Sequence, residues 1–200
     1  MKIKVEKQGK KKTYNLIKSW KDVTLEKWVQ LIAFEKLSST QETLEVLSVL
    51  TDMPKKLIRE LAIQDVANIM SKINELQADK KVTLKKIIEV DGKEYGFHPN
   101  LGQDLTLGEW ADIETMIEQG LEDNMHNIMA ILFRPILERE NDAYIIEAYD
   151  GNIDVRAEKF KKMSAEQVQS ALVFFWGFVN ALSTSILLSL QERLKENPKQ

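Results

Sequence analysis

Cysteine is absent from this 200-residue chain, so it can hold no internal disulfide, no thiolate metal site and no cysteine nucleophile. Histidine is scarce, with two residues in all. No glycine pattern of the kind that cradles a nucleotide phosphate occurs, and no Gly-x-Ser-x-Gly motif presents a nucleophilic serine. The sequence lacks the usual signatures of catalysis, so we expect a protein that is not an enzyme and needs no cofactor.

Neither sign of charge is in large excess, because 28 Lys+Arg against 31 Asp+Glu give a net charge of -3. Nucleic-acid binding through counterion release needs a strongly basic surface, so no specific nucleic-acid partner is expected. The amino-terminal dozen residues are a local exception, with lysine at positions 2, 4, 7, 10, 11 and 12. These lysines either contact phosphate or solvate a strand edge, and we favour the solvated edge. The same stretch has no apolar signal-peptide core, which predicts synthesis without export.

Charge is missing altogether from residues 167–191, which are rich in aromatic and aliphatic side chains. This length satisfies the rule for a membrane-spanning helix. Gln169, Asn180 and Thr184 fall near one stripe at helical spacing, together with the small Gly177, as in a buried helix with one packed polar side. We favour the buried helix and keep a membrane-associated protein anchored by residues 167–191 as the alternative.

A seven-residue pattern, Asp-apolar-Thr-Leu-x-x-Trp, occurs twice, at residues 22–28 and 104–110. Thr24 and Thr106 can cap a helix, and the apolar residue before each threonine can pack on the following tryptophan as a hydrophobic staple. Glu109 completes a capping box at the second site only. Ser164 is predicted to cap the last helix, with Gln167 at the capping-box position. These residues therefore predict helix starts.

Two β-hairpins are predicted, one before each copy of this pattern. The first takes residues 1–5 and 13–16 as strands, and the second turns at Asp91-Gly92 with Ile88 facing Tyr95. The matching order of hairpin and helix has two explanations. Either the chain contains an internal duplication, or two unrelated helices begin with the same capping residues.

Helical periodicity dominates the remaining sequence. Arg134-Pro135 should end or kink the helix that covers residues 123–132, and residues 138–142 are a polar break. Residues 143–149 fit a short helix or a strand. The predicted fold is mainly α, a helical bundle with one or two short β-hairpins, built from halves 1–82 and 83–200 that form one compact body.

Glu118, Glu122 and His126 are spaced by four residues, which would place them on one helix face as candidate metal ligands. Carboxylate-bridged metal bundles need a second Glu-x-x-His helix, which this sequence lacks. A solvated acidic face is the interpretation we favour, with no metal. Among the aromatic residues, Trp20 precedes a helix cap and is the candidate for an exposed interface anchor.

Residues 19–25, 95–109, 126–136 and 171–180 together resemble small proteins encoded in the structural gene blocks of tailed bacteriophages, crAss-like phages among them. The resemblance spans most of the chain and carries no catalytic signature. It implies a virion component, including a packaged cargo protein, or a factor like the tail-assembly chaperones that shield a tape-measure helix.

The partners implied by that resemblance are other phage structural proteins, an amphipathic or tape-measure helix among them, and an oligomer is compatible with it. The implied location is the virion or the cytoplasm of the infected host. A helical body with amphipathic faces can offer a groove to such a helix, whose anchors would follow the i, i+3, i+4, i+7 rule.

Overall fold

The computed structural model describes residues 2–7, 10–34, 37–77 and 83–177. The first half contains β1 (Lys2–Lys7), β2 (Lys10–Asn15), a 3-10 helix (Trp20–Asp22), α1 (Leu25–Phe34), α2 (Ser39–Leu50), α3 (Lys55–Ile58) and α4 (Ile63–Gln77). The second half contains β3 (Ile87–Val90), β4 (Lys93–Phe97), α5 (Leu101–Asp104), α6 (Leu107–Glu118), α7 (Leu121–Leu132), β5 (Phe133–Glu140), β6 (Ala143–Ile146) and α8 (Asp154–Phe160). Residues 165–177 are the described part of a further helix, α9.

The prediction of a mainly helical bundle with minor hairpins is wrong. Within the described residues, 20% lie in strands, which form a two-stranded sheet of β1 and β2 and a four-stranded antiparallel sheet in the order β3-β4-β5-β6. The larger sheet packs its inner face on α7, α8 and α9, so the fold is mixed α/β.

The missed part of the sheet is the β5–β6 hairpin. Its inner end is buried, as Phe133 and Arg134 show, whereas residues 137–143 are exposed and give the polar composition that we interpreted as a break. Asn141 has a φ of 55°, a conformation that asparagine tolerates better than most residues, and forms the two-residue turn with Asp142. Strands that are exposed on both faces need no alternation of apolar and polar residues. The sequence around residues 137–143 therefore lacks the pattern that usually predicts a strand.

The two predicted hairpins are present. Asp91 and Gly92 both have positive φ, and the strands that they join pair Ile88 with Tyr95, as predicted. The first hairpin is longer than expected, because its strands run to Lys7 and from Lys10. It forms a sheet by itself, whereas β4 continues into a larger sheet, so the two hairpins have different surroundings.

The described residues form two hydrophobic clusters. The helical core joins β1, α2, α3 and α4, and the sheet core joins the four-stranded sheet to α6, α7, α8 and α9. Each cluster takes one fully buried residue from the other half, Leu25 in the sheet core and Ala165 in the helical core. These residues adjoin an isolated antiparallel bridge between Thr24 and Ser164. The starts of α1 and α9 therefore tie the two cores together.

The charge-free segment is described only up to residue 177. There Val168, Ala171 and Phe175 are buried in the sheet core, whereas Phe174 is 48% exposed. No helix in the described ranges is both long and apolar enough to cross a membrane. Residues 178–191, the rest of the predicted helix, lie outside the described residues.

Candidate functional site

The three predicted caps lie at the starts of α1, α6 and α9. Thr24 Oγ1 accepts a hydrogen bond from Lys27 N at 3.3 Å, and Thr106 Oγ1 accepts one from Glu109 N at 3.2 Å. Ser164 Oγ accepts from Gln167 N at 3.2 Å, and Ser164 N donates back to Gln167 Oε1 at 3.0 Å. They position helices and point to no ligand.

Glu109 connects its helix to the sheet through a buried group of charges. Its Oε2 accepts from Thr106 N at 2.7 Å and from Thr106 Oγ1 at 2.8 Å. Its Oε1 lies 3.0 Å from Arg134 Nη2 and 3.8 Å from His98 Nε2. All three charged or titratable side chains are at least 93% buried. A buried carboxylate facing a buried guanidinium is the expected solution to the desolvation of both charges.

Burial lowers the pKa of His98 from its ordinary value, and the nearby Glu109 carboxylate opposes that shift. His98 is therefore favoured in its neutral form. Burial likewise lowers the pKa of Arg134, with Glu109 again opposing. Beside this group, burial and a hydrogen bond donated to Asp112 raise the pKa of the Tyr149 hydroxyl.

The group connects α6 to β5 as a polar clamp, and the sequence pattern predicts only its Thr106–Glu109 half. The missing partner, Arg134, was assigned instead to the end of α7.

The candidate metal ligands do not share one helix. α6 ends at Glu118, and Gly120, with a φ of 118°, separates it from α7, which carries Glu122 and His126. Among the described residues no three side chains of metal-ligating type are grouped to hold an ion. Burial lowers the pKa of His126, with Lys161 adding to the shift and Glu158 opposing it.

Trp20, the candidate interface anchor, is half-buried in the 3-10 helix and packs on the helical core. Its indole N–H is buried and meets no acceptor among the described residues. The side chain thus contributes to packing and presents no polar group to a partner.

An open apolar groove of about 650 Å³ lies between the start of α2, the end of α3 and the start of α4. Its apolar wall consists of Leu44, Ile58, Leu61, Ile63 and Val66. Hydroxyl groups at the start of α2 line the opposite side. The volume falls within the range of about 300 to 1,000 Å³ that is typical of binding pockets.

Ile63 is the most exposed residue of the apolar wall of the groove. It is the first residue of α4 and is 88% exposed. Ile69 and Ile73, further along the same helix, are buried as the spacing predicts. Because α4 starts at the edge of the groove, no neighbouring element covers the side chain in its first turn.

The charge of the groove is one-sided. Arg59 is the charged side chain among the described residues that line it, no carboxylate lines it, and Arg59 forms no ion pair with another described residue. The arrangement suits an apolar segment that carries a negative charge beside its anchors.

Comparisons of the chain with protein-family models, curated proteins and solved structures find no match.

Proposed function

We propose that this chain is a non-enzymatic structural or assembly protein of a tailed bacteriophage that acts through protein-protein contacts. The bacteriophage context comes from the sequence resemblance described above. The groove formed by α2, α3 and α4 supports the mode of action, because it offers an apolar site for a partner.

The single observation that carries the mode of action is the exposure of Ile63 beside a half-buried apolar wall. An exposed isoleucine next to Leu44, Leu61 and Val66 leaves apolar area in water, which a partner would remove. The partner that fits is an amphipathic helix with apolar anchors at i, i+3 or i+4 and i+7 and with an acidic residue that reaches Arg59. A tape-measure helix with such a stretch is the occupant we propose.

Mass spectrometry of purified particles, together with particle yield after deletion of the gene, tests the phage role. A virion component will be present in the particle, and an assembly factor will be absent from it but required for particle formation. Absence from the particle combined with an unchanged yield would overturn the proposal.

Ile63→Glu tests the groove in a complementation assay that supplies the variant during infection. We expect particle yield to fall, because the substitution places a carboxylate in the apolar wall. The matched control is Leu107→Glu, since Leu107 is likewise the first residue of a helix and is 83% exposed. Both changes add a carboxylate where a helix start favours one, so both variants should fold. Equal yields from the two variants would exclude the groove.

A further inference from the structure

The β1–β2 hairpin packs one face on the helical core and turns its outer face away from it. Residues directly opposite each other in antiparallel strands point to the same face. Ile3 pairs with Tyr14 on the face that packs on the helical core, so Lys2 and Lys4 belong to the other face. Both lysines are exposed, and neither forms an ion pair with a described residue.

Charge is strongly segregated between this hairpin and the rest of the protein. Residues 2–15 contain six lysines and one glutamate. Subtracting these from the totals of 28 basic and 31 acidic residues leaves 22 basic and 30 acidic residues in the remainder. The hairpin is thus a cationic arm on an anionic body.

α6 and α7 carry six acidic residues and no lysine or arginine. Residues 94–133 contain eight acidic residues and no lysine or arginine. Glu114 and Glu118 are exposed, stand four residues apart on α6 and form no ion pair with a described residue. Like charges at this spacing destabilise a helix, and a cationic partner would relieve the repulsion.

The arm and the acidic helix belong to different cores. The hairpin packs on the helical core, whereas α6 packs on the sheet core through Ile113. Two complementary surfaces on separate parts of one protein can be satisfied by neighbouring copies. Since each copy offers one of each, the contact repeats head to tail.

We propose that the outer face of the β1–β2 hairpin docks on the α6 surface of a second copy of this chain, with Lys2 and Lys4 facing Glu114 and Glu118. This contact is heterologous and produces a ring or an open filament according to its rotation. It is independent of the groove and of the bacteriophage role, so either proposal can fail alone.

Sedimentation velocity of the full chain over a range of protein concentrations tests the contact. At an ionic strength of about 0.01 M, where the Debye length is about 30 Å, we expect concentration-dependent association. At about 1 M, where the Debye length is about 3 Å, the species should be monomeric. A monomer at every concentration and low salt would overturn the proposal.

Charge reversal identifies the surfaces. Lys2→Glu with Lys4→Glu, and separately Glu114→Lys with Glu118→Lys, should each weaken association by at least tenfold. Combining all four changes in one chain should restore it, because the contact is then reversed in sign. Lys85→Glu with Lys86→Glu is the control for net charge, since these two lysines are also exposed, and it should leave association unchanged.

Failure of the four-fold variant to associate, or equal weakening by the control, would overturn the assignment. Binding of a DNA duplex is measured on the same proteins. If the hairpin changes abolish DNA binding but leave self-association intact, the lysines contact nucleic acid and the proposed contact between copies is wrong.

Discussion

Glu109 combines two roles in one residue, because it completes a helix cap and also pairs with a charge on another element. Its carboxylate satisfies backbone and hydroxyl donors of Thr106 with one oxygen and faces Arg134 with the other. Glu109→Ala removes both interactions and leaves a guanidinium buried without its counter-charge. We expect a loss of about 3 to 5 kcal/mol in the free energy of unfolding, measured by urea denaturation.

The matched control is Glu114→Ala on the same helix, which removes an exposed carboxylate and should change stability by about 0.5 kcal/mol or less. Similar losses in both variants would contradict the clamp. Arg134→Met keeps volume but removes the charge, and combining it with Glu109→Ala should recover part of the loss.

Gly96 occupies a position where the packing leaves no room for a side chain. A Cβ built there would lie 2.5 Å from Tyr144 Cε2 and 2.8 Å from Ile146 Cγ2. The Tyr144 ring is itself held by a 2.7 Å hydrogen bond that its hydroxyl donates to Phe97 O. Gly96→Ala should therefore lower the free energy of unfolding by about 1 to 3 kcal/mol through overpacking.

Gly108, by contrast, has room for a side chain, and urea denaturation compares the two positions. It lies on an exposed position of α6, where an added Cβ meets nothing closer than 4.0 Å. Gly108→Ala should raise stability by up to about 1 kcal/mol, because alanine favours the helix. A loss in this variant, or no loss in Gly96→Ala, would show that the local packing differs from that described.

At the scale of elements, the twin helix starts differ in what surrounds the cap. At the first start, Lys27 stands three residues after Thr24, so no carboxylate or amide completes a capping box there. At the second start, Thr106 Oγ1 also contacts Glu109 Oε2. Thr24→Ala should cost about 1 kcal/mol, and Thr106→Ala should cost more because it also disturbs a buried carboxylate. Denaturation midpoints of the two variants, with Thr24→Ser and Thr106→Ser as capping controls, measure the difference. Equal losses would show that Glu109 does not depend on Thr106.

Local chemistry explains which elements were predictable from the sequence. The turn at Asp91-Gly92 and the caps at Thr106 and Ser164 depend on neighbours within a few residues, so short patterns indicated their positions. β5 depends on pairing with β4, which lies some forty residues earlier in the chain, and Arg134 has its counter-charge on α6. Patterns within a short window contain neither relation, so the sheet and the clamp were missed.

The groove was unpredictable for a related reason. Leu44 and Val66 belong to different helices, and whether an apolar residue at a helix start is covered depends on the elements placed around it. Helical spacing is enough to place Ile69 and Ile73 on the buried side of α4, but it contains no information on whether the isoleucine in the first turn is covered.

At the scale of the whole molecule, the two cores meet where two predicted helix starts come together. Leu25 N donates to Met163 O at 2.6 Å, and Ala165 N donates to Val23 O at 2.7 Å. Trp28 packs against both cores. The caps that each begin a helix therefore also join residues some 140 positions apart, which couples the two halves of the chain in one folded body.

Protonation of the two histidines should destabilise the folded protein in mild acid. Burial lowers the pKa of His98 and of His126; Glu109 opposes the shift at His98, and Lys161 adds to it at His126. In the unfolded chain both titrate near pH 6.5, at about the ordinary value. Between that pH and the lower folded-state pKa the unfolded chain binds more protons, so acid favours unfolding.

We expect the free energy of unfolding to be fully retained above about pH 7 and to fall as the pH is lowered through about 6.5 to 5.5. Urea denaturation at each pH measures the slope, and stopping near pH 5.5 keeps most carboxylates ionised, because their ordinary pKa values are about 4. His126→Gln, at a half-buried position, should flatten the slope in part, and adding His98→Gln should flatten it further, whatever either change does to absolute stability. A slope that survives both substitutions would assign the acid sensitivity to groups other than the histidines, since the chain contains no third one.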